Sequence, residues 1–222
     1  MNPYEKPDHW SLRARREGYP ARSVYKLQEM DEKFGLLRPA SGGVFRVLDL
    51  GAAPGSWSLY ALRRGSALEL TAADLLPLSR QYDQGLFGEE RFRFVRGDIT
   101  LPEIRRALLE RGPFNLIISD AAPATTGNRG VDALRSLELA EAVLDYAESL
   151  AAGGGLVVKI FQGGDAASVL RRIRERFASG KSFKPRTCRP GSVETYYIGL
   201  GKRENPGRAA GADRNFGGEP PN

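Results

Sequence analysis

Apolar positions along the chain follow two alternating spacings. Val24, Leu27, Met30 and Phe34 recur at helical intervals and predict an amphipathic helix over residues 23–36, which Gly35 and Pro39 help to end. A short buried strand follows at 46–50, then a glycine-rich turn and a helix over 56–64. Strands are predicted at 68–74 and 91–95, and a helix at 102–110 with Pro102 in an early helical position. The run 114–120 reads as a strand ending in a polar loop. Leu134, Leu137, Leu144 and Ala147 then mark a long helix, closed by Gly153, Gly154 and Gly155. Residues 156–161 are a buried strand, Val169, Leu170, Ile173 and Phe177 mark another helix, and 194–200 form a last strand. Strands that alternate with helices imply βαβ units and a mainly parallel sheet, so the expected class is α/β. Right-handed crossovers gather the C-terminal ends of such strands on one edge, where ligands bind. Residues 1–22 read as a basic N-terminal extension, 23–203 as the folded domain, and 204–222, rich in Gly and Pro, as a disordered tail.

Composition narrows the function classes. The 222 residues are 41% hydrophobic, enough for one domain with a sizeable core. No apolar run reaches the roughly 18 residues of a membrane span, and the polar start lacks a signal segment, so a cytoplasmic protein without a membrane partner is expected. Cys188 and His9 are the single cysteine and histidine. No internal disulfide can form, no metal site is expected, and Cys188 reads as an ordinary thiol. The formal charge is +6. Arg13, Arg15, Arg16, Arg22 and Lys26 cluster near the start, and a second basic run extends from Arg171 to Arg189. Such runs are either solvated faces or grips for a polyanion. Arg15, Arg16 and Arg22 are the residues to test for contact with a nucleic acid.

The sharpest local signal is the run Asp49-Leu50-Gly51-Ala52-Ala53-Pro54-Gly55-Ser56-Trp57, set between a strand and a helix. Its glycines allow a tight turn and close approach of backbone to a ligand. It is not Gly-x-Gly-x-x-Gly, which disfavours a dinucleotide pyrophosphate and an NAD-linked oxidoreductase. Asp74 ends the next strand, where a carboxylate can bind a ribose diol. Asp98 follows the third strand and Asp120 the fourth. Each alone could be a turn or cap residue; three after successive strands beside one glycine-rich turn point to a nucleoside-bearing ligand. Lys159 lies inside an otherwise apolar strand, costly unless its amine reaches a cleft or partner.

These segments resemble the FtsJ/RrmJ (RlmE) family of ribose 2′-O-methyltransferases acting on large-subunit ribosomal RNA. The resemblance covers about residues 12–202. It is carried by six ordered motifs: 22–27 (Arg-Ser-Val-Tyr-Lys-Leu), 49–58, 74–77, 119–123 (Ser-Asp-Ala-Ala-Pro), 157–163 and 192–196. It implies a Rossmann-like class I fold dependent on S-adenosylmethionine (SAM), with a mainly parallel seven-stranded sheet flanked by helices. It implies a catalytic tetrad of Lys26, Asp120, Lys159 and Glu194, with Lys159 as the general base. It implies SAM-binding positions at Gly51, Gly55, Trp57, Asp74, Asp98 and Asp120. The expected substrate is a ribose, that of a uridine, in ribosomal RNA within the large subunit, and the expected enzyme is a metal-free monomer. Transfer RNA as substrate, or an inactive RNA-binding module, are the alternatives; the intact tetrad argues against the second. The chain departs from the family pattern at Ser56, where a second glycine is common, in the polar segment 81–90, and in the loop 124–129.

Overall fold

The computed structural model describes residues 8–38 and 43–204; Pro39 and the tail from residue 205 lie outside them. Seven strands form one sheet: β1 (Phe45–Leu50), β2 (Leu68–Asp74), β3 (Phe92–Arg96), β4 (Phe114–Ser119), β5 (Leu150–Phe161), β6 (Phe177–Phe183) and β7 (Glu194–Lys202). Their order is β3-β2-β1-β4-β5-β7-β6. The first five run parallel, whereas β7 enters antiparallel between β5 and β6. The expected Rossmann-like, mainly parallel, seven-stranded architecture is therefore present.

Strand alternation divides the core. Val47, Ile118, Val157 and Tyr196 face one layer, which holds α1 (His9–Arg16), α2 (Val24–Phe34) and α3 (Ser56–Leu62). Their neighbours Leu48, Ile117, Val158 and Tyr197 face the other, which holds α4 (Pro102–Leu109), α5 (Arg129–Asp145) and α6 (Ala166–Arg176). By the same period of two, Asp49 and Lys159 point toward the α1–α3 layer. The turn closing α2 uses Gly35 at a φ of 65°, where its lack of a Cβ removes the usual penalty.

The structure corrects three expectations. Residues 153–155 do not stop a helix. The helix ends at Asp145, a single 3₁₀ turn spans Tyr146–Ser149, and these glycines belong to β5. Gly154 and Gly155 sit where a Cβ would meet backbone or Leu116 within 3.3 Å, so here glycine serves close strand packing. Phe177 does not end a helix; it begins β6, an edge strand that pairs with β7 alone. The basic extension is partly built into the domain: Asp8 caps α1, Ala14 is fully buried, and Trp10 lies 5.2 Å from the Tyr25 ring. Among the described residues no helix is long and apolar enough to cross a membrane.

Candidate active site

β4, β5 and β7 are neighbours, and their ends bring the charged residues together. Lys159 on β5 and Tyr196 on β7 are register partners, and Glu194 lies two residues before Tyr196 on the same face. Asp120 follows the last residue of β4, and Lys26 reaches in from α2. Lys159 Nζ stands 2.9 Å from Asp120 Oδ1 and donates to the Asp120 carbonyl at 2.5 Å. Lys26 Nζ is 2.9 Å from Glu194 Oε2 and 3.9 Å from Asp120 Oδ1. All four residues named from the sequence thus form one continuous chain, Glu194–Lys26–Asp120–Lys159.

Tyr196 is a fifth member that sequence reasoning left without a role. Its buried hydroxyl donates to Asp120 Oδ1 at 2.6 Å. The available signal was its spacing of two from Glu194. Burial drives the Tyr196 phenol well above its usual range, with Asp120 and Glu194 adding to the effect, so it stays protonated. Burial alone would raise the Asp120 carboxyl; Lys159 and Lys26 outweigh it and hold Asp120 below the ordinary range. Burial alone would lower the Lys26 ammonium; Asp120 and Glu194 outweigh it and hold it above.

Two cavities adjoin this chain. One, about 330 Å³, is lined by Gly51, Asp74, Leu76, Asp98, Ile99 and Asp120. Its volume falls within the range of small-molecule sites. Gly51 has a φ of 80°, and a Cβ there would lie 2.6 Å from Ala121, so glycine is required for the turn. Asp74 does more than face the cavity: its carboxylate accepts from Ala53 N at 2.9 Å and Leu76 N at 2.8 Å, fastening the turn to the end of β2. Asp98 accepts from the backbone and hydroxyl of Thr100, which hold its carboxyl below the ordinary range. The second cavity, a groove of about 690 Å³, contains Lys26 and Glu194 in its lining, with Arg22, Arg129 and Arg189.

Other expected positions lie elsewhere. Trp57 does not line the smaller cavity: its side chain is in the core, donating from Nε1 to the Ser23 carbonyl at 2.8 Å. Gly55, at a φ of 109°, lies against Phe87, 2.8 Å from where its Cβ would stand. Ser56, the departure from the family pattern, exchanges hydrogen bonds with Ala21 through N–H and C=O, so its hydroxyl ties α3 to the segment before α2. Arg22, expected to touch RNA, is engaged within the protein, donating to Asp8 and to the Thr187 carbonyl.

Asp49 opens the glycine-rich run, but sequence reasoning gave it no role of its own. It is fully buried; Ser58 Oγ donates to Oδ2 at 2.7 Å and, among the described residues, Oδ1 has no hydrogen-bond partner. Burial pushes its carboxyl up to about 7, only partly offset by Ser58. A folded-state value raised above the unfolded one means that the native state holds the extra proton between about pH 4 and 7. Stability from this group is therefore lost as pH rises through that window, a difference of up to about 4 kcal/mol by linkage. Asp49→Asn, which cannot ionise, is expected to gain stability relative to the parent when urea unfolding is compared at about pH 5 and about pH 8. Equal differences at both would mean that Asp49 titrates normally.

Comparison with known proteins places the chain in a family. The family model described as FtsJ-like methyltransferase matches residues 19–202. A protein of Treponema denticola named ribosomal RNA large subunit methyltransferase E is 50% identical over 90% of this chain and 96% of its own. One of the same name from Oleidesulfovibrio alaskensis is 44% identical over 90% and 93%. A crystal structure of a Plasmodium falciparum protein assigned as a ribosomal RNA methyltransferase superposes with a TM-score of 0.69 at 23% identity, covering 84% of this chain and all of its own, a likeness of fold. By the family match and these identities, the chain belongs to the FtsJ-like methyltransferase family.

Proposed function

We propose that this methyltransferase transfers the methyl group of SAM to the 2′-hydroxyl of a ribose, that of a uridine, in large-subunit ribosomal RNA. The observation that carries this reading is an ion-pair chain that borders two cavities: Asp120 lines the smaller one, Lys26 and Glu194 the larger. The smaller cavity fits SAM in size and in donor chemistry. Its carboxylates suit a ribose diol, an adenine amino group and a cation, and a Cβ at Gly51 would fill the backbone cradle. When bound there, SAM supplies an electrophilic methyl group on a sulfonium.

The remaining chemistry falls to the protein's own groups. A ribose hydroxyl is a poor nucleophile until its proton is shared or removed. Asp120 is held ionised but is occupied by Lys159, Lys26 and Tyr196, and Lys26 is held protonated between two carboxylates. Glu194 is paired with Lys26, and the family resemblance gives Lys159 Nζ the role of taking the hydroxyl proton. Lys26 presents a fixed ammonium that can donate to the hydroxyl oxygen and orient it. Holding hydroxyl and methyl in line is worth much of the rate. The curated relatives named large subunit methyltransferase E support the choice of ribosomal RNA.

The test is transfer of labelled methyl from SAM to large ribosomal particles lacking ribose methylation, with free transfer RNA alongside and the modified nucleotide mapped by mass spectrometry. Label on a ribose of large-subunit RNA is expected. Label confined to transfer RNA would replace the substrate while keeping the chemistry.

A further inference from the structure

We propose that Arg129 grips a backbone phosphate of the RNA adjoining the target ribose, a deepening that rests on the functional reading above. The groove beside Lys26 and Glu194 has walls of mixed charge, but most of that charge is already used. Arg22 is bound to Asp8 and the Thr187 carbonyl. Glu194 is paired with Lys26. Asp132, which also lines the groove, accepts from Thr126 N at 2.7 Å, Thr126 Oγ1 at 2.8 Å and Gly127 N at 3.2 Å. Arg129 is exposed in the same lining and, among the described residues, has neither a hydrogen-bond acceptor nor an ion-pair partner for its guanidinium.

It is also presented on a stiff support. The three bonds to Asp132 lock residues 126–127. Asn128 caps α5 by accepting from Gly130 N and Val131 N at 3.0 and 3.3 Å, and Asp132 N donates back to the Asn128 carbonyl at 2.9 Å. A guanidinium fixed at its base loses less freedom on engaging a ligand, and its positive charge is the kind that neutralises a phosphate.

The substrate's own chemistry supplies the counter-charge. The carbon next to the one bearing a 2′-hydroxyl carries the 3′-phosphodiester. Any ribose that offers its hydroxyl to Lys26 and Lys159 therefore brings an anion into the surrounding groove.

The test uses the full chain and large ribosomal particles lacking ribose methylation. For Arg129→Ala the KM for particles is expected to rise about tenfold, with kcat at saturation and the SAM dissociation constant unchanged. The log–log salt dependence of particle binding should fall in slope by about one. Arg129→Lys should recover most of the loss, because a phosphate accepts a point charge. A parent-like KM in Arg129→Ala overturns the grip alone. A loss that lysine does not recover, with an unchanged salt slope, also overturns it, in favour of a base-edge contact that needs the planar fork. No transfer to particles by the parent protein overturns the functional reading, and the grip with it.

Discussion

Lys159→Ala is expected to lower methyl transfer by about 10²- to 10⁴-fold, the usual contribution of a positioned proton acceptor, while cofactor affinity changes little. The two effects separate because Lys159 does not line the smaller cavity; its amine binds Asp120 through both the carboxylate and the carbonyl. Removing a buried partner often strands its counter-charge at a cost of about 3–5 kcal/mol. Here Asp120 keeps Tyr196 at 2.6 Å and Lys26 at 3.9 Å, so the carboxylate is not left alone. Single-turnover transfer and SAM binding by calorimetry measure the two quantities independently. Near-normal turnover in this variant would remove Lys159 from the base role.

Gly51→Ala is expected to damage both fold and cofactor site. The residue adopts a φ of 80°, and the added Cβ would meet the Cα and N of Ala121 at 2.6 and 2.7 Å. Backbone cannot swing aside as a flexible side chain can. Left-handed strain of about 1–2 kcal/mol adds to overpacking of about 1–3 kcal/mol, so a loss of roughly 2–5 kcal/mol is expected in denaturant unfolding. The clash lies between the turn after β1 and the loop after β4, which carries Asp120, so SAM affinity should fall with stability. A variant with parent-like unfolding and SAM binding would show that the turn tolerates a side chain.

The five parallel strands were legible in the sequence because each is a short apolar run set off by polar or glycine-rich turns. β6 was not. Its segment, Phe177 to Phe183, carries alanine, serine, glycine and lysine between two phenylalanines, and as an edge strand it needs only one apolar face. Phe177 also continues the helical spacing of Val169 and Ile173, so local periodicity favoured the wrong element. The tetrad came from family resemblance, and side-chain geometry was needed for the rest. Asp49 is silent in a hydropathy pattern, and Trp57 has a motif position that says nothing of which way its indole turns. Arg22 reads as a surface cation until the neighbouring loop is seen to hold it.

The placement of β7 has a consequence for biosynthesis. It is the last described strand along the chain yet lies second from the sheet's edge, between two strands made before it. A nascent chain emerging in order can assemble β1 to β5 and the glycine-rich turn first. At that stage Lys26, Asp120 and Lys159 exist without Glu194 or Tyr196, and β6 has no strand to pair with. The network joining Glu194, Lys26, Asp120, Lys159 and Tyr196 is therefore completed only as the final strand docks, so a partly synthesised chain holds the glycine-rich turn before it holds the whole network.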